Sequence, residues 1–233
     1  MFNNRDQNLD IRVSDANQPI QLSIANLNNN IKWGDELNEK LDDTTRIYVL
    51  NVHGLSLDRR GGHFDDLCKV SKEVQADVLC GQEINVDVSQ PMVRSILYHT
   101  SRQHWKRSRL ILGNTPTPFT TRYKPGGTMT LSTGNVTGRV VASESDRWGR
   151  WASQTFQGLN QMKLTIILAN QVEPDVPDKG AITAAAQQRN LLMLANDPLS
   201  DPRAAFKRDL SQFLQERRSQ GKEIILVGDS MKN

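Results

Sequence analysis

The sequence predicts an α/β fold built on a mixed sheet or on two packed sheets. Three observations predict it: two strand–helix pairs come first, a run of hairpin-like strands follows, and two helices and a strand come last. Such an order requires helices to cover the faces of sheets. The chain of 233 residues is long enough for one full-sized domain with a substantial core.

The first elements follow from local pattern. The segment RIYVLNVHGL, which begins at Arg46, is rich in β-branched and aromatic residues and predicts a buried strand. ADVLCGQE predicts a second strand, and SQPMVRSILYHTSRQHW predicts a helix with Ser89 as its N-cap and a proline in its first turn. Between the two strands, HFDDLCKVSKEVQ predicts a helix whose buried face consists of Phe64, Leu67, Cys68, Ser71 and Val74.

The remaining segments continue in the same way. SRLILGN, GGTMTLST, TGRVVAS, RWASQTFQG and KLTIILAN predict successive strands. AITAAAQQRNLLMLAN and DPRAAFKRDLSQFLQERRSQ predict two helices, of which the second has Asp201 as its N-cap and Pro202 behind it. The predicted apolar face of this second helix consists of Ala205, Phe206, Leu210, Phe213 and Leu214. EIILVG is continuous and apolar, so it predicts a last strand that is buried on both faces.

The domain organisation follows from a change in composition near residue 45. Residues 1–45 are rich in Asn, Gln and Asp and predict a polar, disordered leader with a short helix near Asp35–Leu41. Residues 46–233 are predicted to form the folded domain. The leader carries four Lys or Arg against eight Asp or Glu, whereas the domain carries 25 against 18. The domain is therefore basic, which suits a polyanionic partner.

Composition also limits the cellular compartments and the classes of protein that fit this sequence. The apolar runs are too short to span a bilayer, and the N-terminus has no signal-peptide pattern. We therefore expect an intracellular protein, nuclear or cytoplasmic, without a membrane partner. Cys68 and Cys80 are expected to be reduced and buried, and the four histidines show no zinc-ligand spacing with them. The sequence leaves the oligomeric state open.

Polar residues follow three of the predicted strands. Asn51 lies in LNVHGL, Glu83 follows ADVLCGQ, and Asp229 follows ILVG. Strand ends hold polar side chains in fixed positions while the adjoining loops leave them open. We therefore expect the three side chains to converge at one edge of the fold. Ser230 is disfavoured as an esterase nucleophile of the GDSL type, because no general base follows it in the sequence.

Five blocks in order resemble the endonuclease/exonuclease/phosphatase superfamily, which has the DNase-I-like fold. The blocks are LNVHGL, DVLCGQE, GGTMTL, ANQV and VGDSM, and the resemblance covers about residues 46–231. The long strand-rich section after GGTMTL and the basic helix before the last block look most like endonuclease domains of non-LTR retrotransposons. The resemblance implies a four-layer sandwich of two packed mixed sheets flanked by helices.

The resemblance also implies a chemistry, which is metal-dependent hydrolysis of a phosphodiester. Glu83 and Asn51 are implied as ligands of Mg²⁺, with Mn²⁺ as a possible substitute, because both offer hard oxygen donors. Asp229 is implied as the group that orients and activates the attacking water. Glu83, Asn51 and Asp229 are therefore the expected catalytic residues.

The sequence departs from the family pattern at three positions that contact the phosphate. Asn170 stands where the family has a tyrosine, Met231 where it has an asparagine, and His53 where it often has Asp or Asn. The family also continues past this block with further strands and a Ser-Asp-His block, for which His99 and His104 lie in the wrong region. The resemblance thus implies a C-terminally incomplete fold and weak or no activity. The alternatives are a non-catalytic nucleic-acid-binding or interaction remnant, or a phosphomonoesterase acting on lipid or inositol phosphates.

A basic segment offers a candidate contact with nucleic acid. HWKRSR interleaves an aromatic residue with cations, and Lys106, Arg107 and Arg109 are predicted to contact a DNA backbone. A solvated helix end is the other interpretation. Trp148 and Trp151, in DRWGRW, are candidates either for stacking on bases or for packing within a hairpin.

Overall fold

The computed structural model describes residues 39–41, 43–57, 62–116, 123–173, 183–199 and 201–228. Eight strands and four α-helices lie in these residues, in the following order: β1 (Ile47–Asn51), α1 (Gly62–Glu73), β2 (Val78–Gln82), α2 (Pro91–His104), β3 (Ser108–Gly113), β4 (Thr128–Thr133), β5 (Val140–Ser145), β6 (Trp151–Gln157), β7 (Lys163–Ala169), α3 (Ala184–Leu194), α4 (Pro202–Ser219) and β8 (Lys222–Val227). Short 3₁₀ helices at Gly134–Arg139 and Leu159–Gln161 precede β5 and β7.

The strands form two four-stranded sheets. The strand orders are β1-β2-β4-β3 and β5-β6-β7-β8. Strand β1 pairs parallel with β2, and β7 pairs parallel with β8, while all other neighbours pair antiparallel. Both sheets are therefore mixed, and the prediction of two packed mixed sheets flanked by helices is confirmed.

Alternation along the central strands explains how the two sheets pack. On β2, Val78 and Cys80 belong to a core cluster with Ile166 and Leu168 of β7. The intervening Leu79 belongs to a second cluster that contains α1 and α2. Because successive side chains of a strand point to opposite faces, β2 fills two cores at once. Every residue of β2 is accordingly buried.

Helices cover the two outer faces. Four residues of the predicted face of α1 are buried, namely Phe64, Leu67, Cys68 and Ser71, whereas Val74 follows the end of the helix and is half-buried. On the other sheet, Phe206 of α4 packs in a cluster with residues of β6 and β7. None of the helices in these described segments is long and apolar enough to cross a membrane.

Helix α4 begins as the sequence predicts. The side chain of Asp201 accepts hydrogen bonds from the backbone N–H groups of Arg203 and Ala204, and Pro202 occupies the first turn. The predicted apolar face is also confirmed: its residues are buried or packed against the core, namely Ala205, Phe206, Leu210, Phe213 and Leu214. The helix therefore has one face available for the sheet along its length.

Two local predictions are wrong. Ser89 does not cap α2, because its hydroxyl donates to Asp87 Oδ1 at 2.7 Å and Gln90 takes the cap position. Strand β8 is not buried on both faces, since its residues are only partly buried or exposed. The reason is topological: β8 lies at the edge of its sheet, and an edge strand has a neighbour on one side alone.

Most of the predicted leader, together with the greater part of the helix predicted near Asp35–Leu41, lies outside the described residues. The described chain contacts the domain from Lys40 onward. The Lys40 ammonium group lies 2.7 Å from the Asp77 carboxylate, just before β2. Residues after 39 are thus attached to the first sheet.

The two cysteines behave as small buried side chains. Cys68 and Cys80 are free and buried, on α1 and β2. Burial raises the pKa of each thiol to about 12, so both stay protonated at neutral pH. Thiols in this state are inert packing groups.

Arg150 joins the loop before β6 to helix α4. Its guanidinium donates to Asp146 at 2.7 and 3.1 Å and to Asp209 of α4 at 2.8 Å. It also lies over Trp148 at 4.6 Å and over Trp151 at 4.8 Å. Both indole rings are buried, which favours the packing interpretation of DRWGRW.

We expect Arg150→Ala to destabilise the protein by about 3–5 kcal/mol, because it removes the cation that pairs with the buried Asp146 carboxylate and leaves Asp209 with Arg208 alone. Total stability is only about 5–15 kcal/mol, so a large fraction would be lost. Urea unfolding followed by circular dichroism measures the change. The control is Arg102→Ala on α2, which is exposed and should change stability by less than about 0.5 kcal/mol. Equal effects of the two substitutions would contradict a supporting role for Arg150.

Candidate functional site

The parallel strands of both sheets end at one side of the fold, which we call the C-edge. It is the side at which β1, β2, β7 and β8 reach their carboxyl ends. The buried side chain of Gln82, the last residue of β2, donates from Nε2 to the carbonyl oxygen of Ala169, the last residue of β7, at 2.9 Å. This bond places the ends of the two sheets in contact.

Strand β8 ends against the same two residues. A Cβ atom on Gly228 would lie 2.1 Å from the Ala169 carbonyl oxygen and 2.9 Å from Gln82 Nε2. Gly228 also has φ +112°, which favours glycine. The residues after it, among them Asp229 and Met231, lie outside the described part of the chain. That Asp229 joins the C-edge therefore stays a prediction, supported by the position of its neighbour.

The loop after β1 brings a histidine to Glu83. The backbone N–H of Gly54 donates to the Glu83 carbonyl oxygen at 2.8 Å, so the pairing of β1 with β2 extends into the loops. The N–H of His53 donates to Asn51 Oδ1 at 2.9 Å, and His53 Nδ1 lies 3.2 Å from Glu83 Oε2. His53 thus contacts Asn51 through its backbone and Glu83 through its ring.

The backbone around this group is strained. His53, Glu83 and Asn85 have φ of 56°, 51° and 52°, in the left-handed region. Non-glycine residues there cost about 1–3 kcal/mol each and persist only where surrounding bonds hold them. Such strain clusters at functional sites. Three of the seven non-glycine residues with positive φ in the described part of the chain lie in these loops, in line with a functional interpretation.

Asn85 is a residue that sequence reasoning missed. Its backbone N–H donates to the Gly126 carbonyl oxygen at 2.9 Å, and its Oδ1 accepts from the Gly126 N–H at 2.7 Å. The two contacts fasten the loop after Glu83 to the loop before β4. Asparagine tolerates the left-handed region, and this tolerance was the signal in the sequence that could have pointed to Asn85. Its partner lies 41 residues away, so the sequence could not identify it.

Lys124 was also missed, because a lysine in a polar loop normally faces solvent. Its Nζ is fully buried, donates to the carbonyl oxygen of Thr115, and lies 3.6 Å from Asp87 Oδ1. Burial lowers the pKa of Lys124. For Asp87, burial raises the pKa, but hydrogen bonds from Ser89 and the charge of Lys124 outweigh it and lower the pKa overall. The pair supports the loop that holds Asn85.

Asn170 lies on the second sheet's side of the C-edge. It follows β7 directly, and its backbone N–H donates to the Arg150 carbonyl oxygen at 2.8 Å. The residue is half-buried. Its predicted position at a strand end is therefore correct, whereas its predicted contact with a phosphate stays a prediction.

The predicted nucleic-acid contacts lie at the other side of the fold. Strand β3 runs antiparallel to β4, whose first residue pairs with Gln82, so β3 begins opposite the C-edge. Lys106 and Arg107 precede β3 and are exposed there, about 20 Å from the C-edge for a six-residue strand. Arg109 donates from Nη1 to the Val140 carbonyl oxygen at 2.9 Å. These cations are separate from the group around Glu83.

The donors at the C-edge fit a divalent cation in part. Glu83 offers a carboxylate whose side chain is 32% exposed, and Asn51 offers an amide oxygen on an exposed residue. Mg²⁺ is commonly bound through one or two carboxylates and keeps several waters, so these oxygens fit it. Among the described residues, no group of three or more His, Cys, Asp or Glu could hold a metal ion. A cation at this edge would therefore depend on a small set of donors.

Comparisons with known proteins give similarity in structure alone. No protein-family model matches the sequence. No curated protein is similar to it in sequence.

Similar solved structures belong to nucleases and phosphatases. One is an endonuclease/exonuclease/phosphatase family protein from Leptotrichia buccalis, with 15% identity, 68% of this chain and 65% of that chain covered, and a TM-score of 0.38. An AP endonuclease from Leishmania major has 14% identity, coverage of 79% and 54%, and a TM-score of 0.46. A 3′ phosphatase from Neisseria, bound to a product DNA hairpin, has 14% identity, coverage of 79% and 57%, and a TM-score of 0.45. This chain thus spans between about half and two thirds of their length.

We expect Gly228→Ala to destabilise the end of β8 by more than backbone strain alone explains. The new Cβ would meet backbone of β7, and overpacking costs about 1–3 kcal/mol beyond the strain. The matched control is Gly221→Ala, which also has positive φ but no atom within 4 Å. It should cost about 1–2 kcal/mol. Thermal melts of both variants measure the difference, and equal melting temperatures would show that β8 does not end against Gln82.

Proposed function

We propose that this protein hydrolyses phosphodiester bonds of nucleic acid with the help of a divalent cation at the C-edge. One observation carries the proposal: the loops after β1 and β2 bring Asn51, His53 and Glu83 together, beside the ends of β7 and β8. Carboxylate, amide and imidazole groups at strand ends suit the binding of a cation and a phosphate.

The residues divide the chemistry between them. Glu83 and Asn51 would supply the oxygen ligands, and the bound cation would stabilise negative charge on the phosphate. Asp229 would take a proton from the attacking water onto its carboxylate, while the water oxygen bonds to phosphorus and the bond to the leaving oxygen breaks. The leaving oxygen would then take a proton from solvent.

Substrate class and type are the finer parts of the proposal. The long strand-rich section after GGTMTL and the basic helix before the last block support a DNA endonuclease of the non-LTR retrotransposon type. Asn170, His53 and Met231 would face the phosphate, and Met231 offers a thioether that cannot donate a hydrogen bond. Loss of one such donor commonly costs roughly 10²–10³-fold in rate, so we expect slow turnover.

Nicking of supercoiled plasmid in the presence of Mg²⁺ or Mn²⁺ tests the proposal. We expect slow, metal-dependent nicking that falls at least tenfold in Glu83→Gln, because even groups that support metal ligands contribute about 10–100-fold. The control is Glu73→Gln at the exposed end of α1, which should leave the rate unchanged.

Other outcomes of this experiment separate the alternatives. DNA binding in a gel-shift assay without any nicking would support a non-catalytic binding protein of the same fold. Phosphate release from inositol phosphates without nicking would support a phosphomonoesterase. Nicking that persists in Glu83→Gln would overturn the proposed role of the C-edge.

Lys106 and Arg107 are proposed to contact the DNA backbone away from the C-edge. Each neutralised phosphate contributes about 0.9 to the slope of log affinity against log salt concentration. The double variant Lys106→Ala/Arg107→Ala should therefore lower the slope by up to about 2. Lys72→Ala, with an exposed cation at the end of α1, is the control. An unchanged slope in the double variant would show that the segment is a solvated helix end that does not contact DNA. The nicking rate at saturating DNA should not change in either variant.

A further inference from the structure

We infer that His53 makes the cation site at the C-edge select a first-row transition ion such as Zn²⁺ or Co²⁺ over Mg²⁺. The inference rests on the proposed function only in that both place the cation at Glu83 and Asn51. What it adds is a third donor of a different chemical kind, a ring nitrogen, and with it the identity of the ion.

The separation of the two donor atoms matches a shared metal. His53 Nδ1 and Glu83 Oε2 are 3.2 Å apart. Two ligands at about 2.1 Å from one ion are roughly 3.0 Å apart at an octahedral angle and roughly 3.4 Å apart at a tetrahedral angle. The observed distance lies between these values. An ion could therefore bind both atoms with small rotations of the side chains.

The backbone holds both donors in this position. His53 donates its N–H to Asn51 Oδ1, and Glu83 accepts from the N–H of Gly54 through its carbonyl oxygen. Both residues adopt positive φ, a conformation that fixed neighbouring contacts must maintain. The backbone of both donor residues is thus arranged by the fold before an ion binds, which lowers the cost of binding.

Access and the remaining donor also suit an ion. The His53 side chain is 87% exposed and that of Glu83 32% exposed, so an ion from solvent reaches both. The amide oxygen of Asn51 accepts one N–H and retains a second lone pair. The donor set is therefore one nitrogen and two oxygens, with positions left for water or a phosphate.

This donor set discriminates between ions. Mg²⁺ prefers oxygen ligands and near-ideal octahedral geometry, so the imidazole adds nothing to its binding. Imidazole suits Zn²⁺ and its neighbours, whose affinities for such sites exceed that of Mn²⁺. Three donors would then hold a transition ion where two hold Mg²⁺. The affinity ratio between Zn²⁺ and Mg²⁺ is consequently the quantity that His53 controls.

Isothermal titration with Zn²⁺, Co²⁺ and Mg²⁺ tests the inference without any assay of activity. We expect His53→Asn to weaken Zn²⁺ and Co²⁺ binding about tenfold or more without weakening Mg²⁺ binding, because the amide oxygen that replaces the ring nitrogen is a ligand that Mg²⁺ accepts. His99→Asn on α2, an exposed histidine bonded to Gln103, is the matched control and should change neither. Long-range ¹H–¹⁵N spectra provide a second readout, in which Zn²⁺ should shift the Nδ1 resonance of His53. Thermal melts confirm that each variant is folded.

Three results would overturn the inference. Equal affinities for Zn²⁺ in the wild type and in His53→Asn would reduce the contact with Glu83 to an ordinary surface ion pair, and so would an unmoved Nδ1 resonance. Zn²⁺ binding that is no tighter than Mg²⁺ binding would remove the selectivity. Glu83→Gln separates this failure from failure of the proposed function. If it abolishes Mg²⁺ binding while His53→Asn has no effect on any ion, the proposed function stands and the inference fails.

Discussion

The hydrogen bond from Gln82 to the Ala169 carbonyl oxygen is the constraint on which the C-edge depends. It joins the ends of two strands in different sheets, and both partners are buried. A buried carbonyl without a partner costs about 1–3 kcal/mol, so the bond resists any sliding of one sheet over the other. Gly228 extends the constraint to β8, because only glycine fits against the same two groups.

Three of the candidate functional residues directly follow the residues of this junction in sequence. Glu83 follows Gln82, Asn170 follows Ala169, and Asp229 follows Gly228. A residue next to a fixed backbone is itself held in place. Side chains beside rigid elements are therefore positioned more precisely than side chains on free loops. The arrangement requires backbone strain at the left-handed residues of the C-edge, because the chain changes direction there where the strands end.

Much of the fold could be predicted because it follows from the local pattern of apolar and polar residues. The periodicity of apolar residues and the local composition predict the buried faces of α1 and α4, the cap at Asp201 and the buried strand β2. Asn51 and Glu83 were identified as candidate site residues because they are polar residues at strand ends. Contacts that depend on chain direction could not be predicted. The sequence does not say that β3 begins opposite the C-edge, so it could not place Lys106 relative to the site. Nor does it say that Lys124 and Asn85 are joined to distant loops.

The residues that the fold requires differ from the residues that the proposed chemistry requires. Gln82 and Gly228 are fixed by contacts between sheets, so substitutions there change stability and site together. The His53 side chain is almost fully exposed, and in the described part of the chain its ring is paired with the Glu83 carboxylate. An exposed side chain of this kind can change without disturbing a core. In the proposed site, substitution of His53 would therefore change the choice of cation, while Gln82 would keep the position of the site fixed.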